Sequence, residues 1–349
     1  MHILAIETSC DETGLAVVEG QKLEDGFSFV VHKNALLSQA ALHAEFGGVY
    51  PNLAKREHEK NLPLLFKAFE EERVDAVAVT RGPGLEPALW TGIGFAKKLA
   101  AQWQKPLLPM NHMEGHLISS LVQNGKIKNI QLPVLALLIS GGHTELVLMR
   151  EWFRYELVGH TQDDAVGEAF DKVARMLALP YPGGPEISKL ATHARERGLT
   201  TLKPLPRPML NTDSCNVSFS GLKTAVLYAL RDQGGIQKLS ADEIAAFASE
   251  FENAVTEVLV AKTKRALAET GAKTFVIGGG VAANAHIRKT IVTEIEKEFP
   301  DVEIRLPELA ITGDNAIMIA EVALARRLSG LDDATQEDFR AVGNLSIAS

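Results

Sequence analysis

Two histidines four residues apart, His112 and His116, have the spacing in this chain that best suits metal chemistry. They belong to the segment His112-Met113-Glu114-Gly115-His116, whose pattern predicts the start of a helix. Side chains four residues apart share one face of a helix, so both imidazoles can reach one metal ion. Glu114 points elsewhere, unlike the glutamate of the zinc-protease motif His-Glu-x-x-His, which directly follows the first histidine. Ordinary polar residues of a helix are the alternative interpretation.

A further ligand is available in the segment 312–315, directly before an apolar helix near the end of the chain. Asp314 is first interpreted as the N-cap of that helix, where a carboxylate accepts hydrogen bonds from free backbone N–H groups. It is alternatively a metal ligand. His112, His116 and Asp314 would then form a set of two histidines and one carboxylate, with open positions for substrate. The sequence leaves open whether the three meet.

Two glycine-rich segments follow predicted strands and suit the binding of an anion. In Ser140-Gly141-Gly142, glycines let backbone N–H groups approach a negative charge, and the Ser140 hydroxyl adds a donor. A hairpin turn is the alternative interpretation. Asn284 closes the segment 278–284 between a strand and a helix, where a nucleotide can lie against bare backbone and a helix N-terminus. A close strand-to-helix turn without a ligand remains the alternative.

Other polar residues are candidates for proton transfer or for contacts with a nucleotide. Asp11 and Glu12, in a polar loop at a strand end, can transfer a proton or hold a hydrated cation. Cys10 is either a nucleophile or a small buried residue. Asp171, on a predicted helix, is either an acceptor for ribose or adenine groups or a surface carboxylate. The segment 182–185, Pro-Gly-Gly-Pro, is interpreted as a rigid turn.

The hydrophobic pattern predicts an α/β fold with a mixed sheet. A helix is predicted from about residue 52 to 72, interrupted or kinked at Pro63. The strand–loop–strand pattern of residues 4–18 recurs at residues 135–148. This recurrence suggests a duplicated α/β domain with a cleft between the copies, although hairpins of this kind also occur without duplication.

The composition is that of a globular protein, with 349 residues, 46% of them hydrophobic and 23% charged. We see no apolar run near the ~18–20 residues of a membrane helix and no signal-peptide core, so we expect a cytoplasmic protein without a membrane segment. Two cysteines indicate a reducing compartment. The net charge of −8 argues against a surface covered in nucleic-acid contacts, but it allows a local basic patch or one completed by a partner.

Seven motifs occur in order across nearly the whole chain, and together they resemble the TsaD family of tRNA N6-adenosine threonylcarbamoyltransferases. The His-Met-Glu-Gly-His form is similar to that of bacterial and organellar members. The motifs are Glu7-Thr8-Ser9-Cys10-Asp11-Glu12-Thr13, His112-Met113-Glu114-Gly115-His116, Ser140-Gly141-Gly142-His143-Thr144, Glu168-Ala169-Phe170-Asp171-Lys172, Tyr181-Pro182-Gly183-Gly184-Pro185, Phe219-Ser220-Gly221-Leu222-Lys223 and Asp314-Asn315.

The resemblance implies an actin-like (ASKHA) fold of duplicated RNase H-like domains with a central cleft. We expect one domain at residues 1–130 plus about 311–349 and the other at about 131–310. The family reaction moves threonylcarbamoyl from threonylcarbamoyl-AMP to N6 of the adenosine 3′ to the anticodon, in tRNAs reading ANN codons. The resemblance also implies one divalent metal per subunit, Fe²⁺ or Zn²⁺, on His112, His116 and Asp314, and tRNA, TsaB-like and TsaE-like partners.

The resemblance further implies a set of substrate contacts, with ATP or ADP as further candidates for the same cleft. Ser188 stands where many members have an aspartate. In our mechanistic hypothesis, Ser140 stabilises developing negative charge. Asp11 or Glu12 either orients the intermediate or accepts the N6 proton. The expected substrate contacts are Leu138, Ile139, Ser140, Gly141, Gly142, Asp171, Gly184, Ser188 and Asn284.

Three other functions remain as alternatives. The first is an ATPase or sugar kinase with the same fold, which the glycine-rich segments permit. The second is a metalloprotease, which a helix with two histidines suggests but the position of Glu114 disfavours. The third is a non-catalytic scaffold, which would have no use for the metal ligands.

Overall fold

The computed structural model describes residues 1–201, 203–331 and 339–348. Residues 332–338 and 349, which the first predicted domain includes, lie outside the described residues. The helices and strands, in chain order, are β1 (His2–Glu7), β2 (Glu12–Leu23), β3 (Gly26–Ser38), α1 (Ala40–His43), α2 (Pro51–Phe66), β4 (Ala76–Gly82), α3 (Glu86–Trp103), β5 (Leu107–Asn111), α4 (His112–Leu121), β6 (Lys126–Lys128), β7 (Val134–Ile139), β8 (Thr144–Glu151), β9 (Arg154–His160), α5 (Val166–Met176), α6 (Gly183–Glu196), α7 (Ser220–Asp232), α8 (Ala241–Thr270), β10 (Thr274–Gly278), α9 (Ala285–Glu298), β11 (Glu303–Arg305) and α10 (Ala316–Leu328).

Contacts divide the chain into two compact units. The first unit comprises Met1–Leu42, Val49–Gln131 and Arg305–Ser349, and the second comprises His43–Gly48 and Leu132–Ile304. In the part of the chain that the structure describes, no helix is both long and apolar enough to span a bilayer.

The first unit is built on a sheet with the strand order β5-β4-β1-β2-β3-β6. β1 pairs antiparallel with β2 and parallel with β4. The run Ile3–Ile6 of β1 is completely buried, as expected for a strand covered on both faces. Helix α10 packs so closely on β2 that a Cβ at Gly20 would lie 2.9 Å from the side chain of Leu324. This packing brings the start of α10 to the end of the sheet where the metal candidates lie.

The second unit repeats the strand arrangement of the first. Its sheet has the order β11-β10-β7-β8-β9, which corresponds to β5-β4-β1-β2-β3 in the first unit. In both sheets the leading hairpin is antiparallel, and its first strand pairs parallel with a later strand. The predicted α/β fold is therefore confirmed, and the recurrence at residues 4–18 and 135–148 corresponds to a repeated sheet topology.

Two local predictions were wrong. The helix predicted to reach residue 72 ends at Phe66. The chain then continues in tighter turns, whose N–H groups donate to carbonyl groups three residues back, and these turns bring Phe69 into the core. Pro63 lies inside α2. The segment 182–185 is the start of α6 rather than a separate turn, with Pro182 as its N-cap.

Candidate metal centre

The two histidines of the metal motif lie where β5 passes directly into α4. Asn111 is the N-cap, and its side-chain oxygen accepts hydrogen bonds from the backbone N–H groups of Met113 at 2.9 Å and Glu114 at 3.2 Å. His112 is the first residue of the helix, so His116 lies one turn later on the same face. Both side chains are buried, and their rings meet edge to face with centroids 4.7 Å apart. The sequence prediction of two imidazoles on one helical face is confirmed.

Asp314 reaches these histidines because Asn315, not Asp314, is the N-cap of α10. The Asn315 side chain accepts a hydrogen bond from the Met318 N–H at 3.1 Å and donates to the carbonyl of Gly313 at 2.7 Å. The first interpretation of Asp314 as the cap was therefore wrong. Asn315 has the extended backbone of a cap residue, which leaves the preceding carboxylate to face the imidazoles.

The geometry of the three side chains fits a divalent metal. Asp314 Oδ1 lies 3.3 Å from His112 Nε2 and 3.1 Å from His116 Nε2. Bonds of 2.0–2.1 Å at tetrahedral angles separate neighbouring ligand atoms by about 3.3 Å. These two distances, with all three ligand atoms within 4.8 Å of one another, allow the set to hold one ion, and two imidazoles with one carboxylate suit iron or zinc.

Glu7 contacts the candidate ligand His112 from behind. Its Oε2 lies 3.2 Å from His112 Nδ1, and the Ser9 hydroxyl lies at the same distance from that nitrogen. The Thr80 hydroxyl and the Ser9 N–H both donate to the Glu7 carboxylate. A carboxylate behind a histidine fixes the orientation of the ring and makes it a stronger ligand. Sequence reasoning placed Glu7 in a motif but did not assign it this position.

The charges of this cluster shift the pKa values of its members. Burial lowers the pKa of His112, but the carboxylates of Asp314 and Glu7 outweigh it and hold the value well above the usual range. Burial lowers the pKa of His116. Burial raises the pKa of the Asp314 carboxyl, but the two imidazoles outweigh it and hold the value well below its usual range. The carboxylates therefore stabilise positive charge at the place where a cation would bind.

Glu114 lies away from the candidate metal ligands. Its Oε1 accepts a hydrogen bond from Arg326 Nη1 of α10 at 2.8 Å, in an ion pair that joins α4 to α10. The carboxylate that a protease would need as its base thus forms an ion pair that joins α4 to α10. This contact disfavours the protease interpretation.

The polar loop before β2 brings more carboxyl groups near the metal candidates. Burial, with the charges of Asp314 and Asp11, raises the pKa of Glu12 to about 9. Burial and the nearby charge of Asp11 raise the pKa of the Cys10 thiol well above its usual value. A nucleophilic cysteine needs a lowered pKa, so Cys10 is disfavoured in that role.

In the second unit, the Ser140 segment forms a tight turn between β7 and β8. The Ser140 N–H donates to the His143 carbonyl at 2.9 Å, and the His143 N–H donates to the Ser140 hydroxyl at 3.1 Å. Gly141 and Gly142 are exposed, with open space beside each. The side chains of Leu138 and Ile139 are buried in the sheet core.

Asp171 and Gly184 lie where α5 meets the start of α6. Asp171 Oδ1 accepts a hydrogen bond from the Gly183 N–H at 2.7 Å and so satisfies one free donor of the helix. Gly183 is pressed against α5, since a Cβ there would lie 2.3 Å from the Cβ of Ala174. Gly184 has open space beside it.

Glu252 of α8 joins two of the predicted substrate contacts and was not identified from the sequence. The Asn284 side-chain amide donates to Glu252 Oε1 at 2.6 Å, while its oxygen caps α9. Arg195 forms an ion pair with the other oxygen. Burial raises the pKa of this carboxyl, whereas Asn284, Arg195 and the Ser188 hydroxyl lower it. The Glu252 side chain is completely buried. The only sequence signal was a charged residue between Phe251 and Ala254, on the apolar side of a helix.

The fold and the site define a protein of two sheets with repeated topology, in which the first unit carries a candidate metal set of two histidines and one aspartate. Residues 30–321 match the family described as TsaD: tRNA N6-adenosine threonylcarbamoyltransferase. A curated tRNA N6-adenosine threonylcarbamoyltransferase of Thermosipho africanus (strain TCF52B) is 41% identical over 356 residues, which cover 99% of this chain and 100% of that protein. The chain therefore belongs to the TsaD family, and the predicted ASKHA-type fold is confirmed.

Two solved structures of HypF are similar in fold. Full-length HypF, in a phosphate- and nucleotide-bound form, superposes with a TM-score of 0.57 at 12% identity over 96% of this chain. T. kodakarensis HypF superposes with a TM-score of 0.56, also at 12% identity, over 95% of this chain. The chain spans about half the length of these proteins, 47% and 49% respectively. At this identity the likeness concerns the fold alone.

Proposed function

We propose that this chain transfers the threonylcarbamoyl group from threonylcarbamoyl-AMP to N6 of the adenosine 3′ to the anticodon, in tRNAs reading ANN codons. The observation that carries the proposal is the 41% identity, over 99% of the chain, to a relative named for this transferase activity. The assembled set of His112, His116 and Asp314 supports it, because a scaffold has no use for three converging metal ligands.

In the first unit, His112, His116 and Asp314 would hold one Fe²⁺ or Zn²⁺ ion. Such an ion, when bound, supplies a Lewis acid and an anchor for anionic oxygens. Glu7 keeps the ring of His112 in the orientation that directs Nε2 towards Asp314. Asn315 fixes the backbone on which Asp314 lies.

In the second unit, the adenylate would be bound by groups on four segments. Ser140 and the backbone N–H groups of Gly141 and Gly142 stabilise negative charge on the phosphate and carbonyl oxygens. The backbone near Leu138 and Ile139 borders this turn. The adenosine half is assigned to Asp171, Gly184, Ser188 and Asn284. The open space beside Gly184 and the polar group of Glu252 behind Asn284 and Ser188 support this assignment.

The acceptor amine needs help, because the lone pair of adenine N6 is delocalised into the ring. Holding the amine and the carbonyl in a reactive geometry can contribute about 7–11 kcal/mol to lowering the barrier. Asp11 is the carboxyl group assigned to accept the N6 proton, and Glu12, whose pKa of about 9 keeps it protonated near neutral pH, is assigned to orient the intermediate.

The proposal includes a cytoplasmic location and partners. With a net charge of −8, the chain offers little general attraction for RNA, so TsaB-like and TsaE-like proteins would complete the tRNA surface. Weak tRNA binding by the isolated chain that becomes tight when these proteins are added supports this part. Equal binding with and without them contradicts it.

The experiment is transfer of labelled threonylcarbamoyl from the adenylate to a tRNA transcript, with and without a chelator. We expect label on the transcript, and none when guanosine replaces the target adenosine. His112→Ala/His116→Ala should lose bound metal and transfer together, whereas the exposed His160→Asn should keep both. Full transfer by the metal-free double variant would refute the metal role. ATP-dependent phosphorylation of a sugar, without transfer to tRNA, would instead favour the kinase alternative.

A further inference from the structure

Three side chains on neighbouring strands of the first unit form a second cluster of metal-ligand type. His2 lies on β1, Glu19 on β2 and His32 on β3. Glu19 Oε2 lies 3.4 Å from His2 Nε2 and 3.1 Å from His32 Nε2. The two rings meet edge to face, with centroids 5.0 Å apart. Two imidazoles therefore direct the same type of nitrogen at one carboxylate oxygen.

These distances repeat those of the metal centre. There, one oxygen of Asp314 lies 3.3 and 3.1 Å from the two Nε2 atoms, and the rings are also edge to face. Ligand atoms bound to one tetrahedral Zn²⁺ are about 3.3 Å apart, so both clusters have the spacing of a coordination set. All three ligand atoms of the second cluster lie within 4.8 Å of one another.

The register of the sheet brings the three residues to one face. His2 and Glu19 are direct partners across the antiparallel pair β1–β2, so their side chains lie on the same side. Between β2 and β3, Val17 pairs with Lys33 and Val18 pairs with Val31, which leaves His32 as the extra residue of a β-bulge. A bulge redirects the side chain of its extra residue, and here it places His32 against Glu19.

The surroundings leave the cluster open to an ion from solvent. Gln21 Nε2 donates to Glu19 Oε1 at 3.1 Å, which fixes the carboxylate while Oε2 faces the two rings. The side chains of His2, Glu19 and His32 are 39%, 27% and 42% exposed. Three protein ligands at the surface leave a fourth position to water.

We propose that His2, Glu19 and His32 form a second, surface site for a divalent metal ion of the Zn²⁺ class. Two imidazoles and one carboxylate suit zinc and its neighbours in the first transition series rather than Mg²⁺ or Ca²⁺, which prefer oxygen ligands. The ion joins three consecutive strands of the sheet. The inference is independent of the transferase proposal, because it concerns residues outside that machinery.

The test is the number of Zn²⁺ ions bound by the full chain, purified without a histidine tag and measured by equilibrium dialysis with Zn²⁺ alone. We expect two ions per wild-type chain and one ion for His32→Asn or Glu19→Gln. His160→Asn, a matched surface control, should keep two. Transferase activity of His32→Asn should equal that of the wild type when the buried site is loaded.

A second measurement separates the two sites. His112→Ala/His116→Ala should bind one ion, and adding His32→Asn to it should abolish binding. Since the double variant can fail to fold, Co²⁺ absorption of the wild type and His32→Asn provides the same comparison, with one set of d–d bands lost in His32→Asn. Equal stoichiometry and equal Co²⁺ spectra for the wild type and His32→Asn would overturn the inference.

Discussion

Glu321 lies in the middle of α10, the helix that begins beside the candidate metal ligand Asp314. Burial, with a smaller contribution from the charge of Glu308, raises the pKa of the Glu321 carboxyl from 4.5 to about 8. Its Oε2 has no hydrogen-bond partner within the described ranges. Near neutral pH, the Glu321 carboxyl therefore carries a proton in the folded chain, whereas in the unfolded chain it has already lost that proton.

The sign of the effect on stability follows from this difference. Well below pH 4.5 the carboxyl is protonated in both states, so its ionisation does not change the stability of the fold. As the pH rises from there to about 8, the unfolded state ionises while the folded state does not, so stability falls. Above the pKa of the folded state, this difference lowers the free energy of unfolding by about 5 kcal/mol in total. About 3 kcal/mol of that loss develops between roughly pH 5.5 and pH 8.

Glu321→Gln removes this titration. We compare the free energy of unfolding of the variant with that of the wild type at two pH values. The variant should gain about 3 kcal/mol more stability near pH 8 than near pH 5.5. The assay is urea unfolding followed by tryptophan fluorescence in a Trp152→Phe background, because Trp90 and Trp103 then report on the first unit. Glu70→Gln, at an exposed glutamate of the same unit, should show no such difference. An equal effect of Glu321→Gln at both pH values would refute the reasoning.

Three further predictions concern residues that position the sites. Asn315→Ala should destabilise the first unit by about 1 kcal/mol and weaken Zn²⁺ binding, measured by urea unfolding and zinc titration, whereas Asn315→Asp should keep the cap. Glu252→Ala removes a charged hydrogen bond to Asn284 and should weaken binding of a non-hydrolysable adenylate roughly tenfold, by calorimetry, with metal content unchanged. Gly183→Ala should lower stability by about 1–3 kcal/mol, whereas Gly184→Ala, with open space beside it, should cost much less; equal costs would contradict the packing argument.

Features that depend on neighbouring residues were predictable from the sequence. The shared face of His112 and His116 follows from helical periodicity, and the repeat of the two hairpins follows from the strand pattern. The choice between Asp314 and Asn315 as the cap was not predictable in this way. Two adjacent polar residues both suit a cap, and the backbone conformation at Asn315 decides between them.

Features that depend on residues far apart in sequence required the structure. Asp314 is 198 residues from His116, so spacing alone left their meeting open, and only the family resemblance predicted it. Glu252 gave only the weak signal of a charge on an apolar helix face. The cluster of His2, Glu19 and His32 depends on strand register and on one extra residue in β3, which an alternating hydrophobic pattern does not reveal.

Helices α4 and α10 both begin at the candidate metal centre. His112 is the first residue of α4, and Asp314 precedes the cap of α10. Each helix start carries a partial positive charge of about half an elementary charge, because the peptide dipoles of a helix add along its axis. A cation gains nothing from these two ends, and Asp314 and Glu7 have to compensate their repulsion. If an ion is held there, an anion beside it would be attracted by both helix ends as well as by the ion, so the placement of the two helices would favour negatively charged groups, such as phosphate, as the exchangeable ligand.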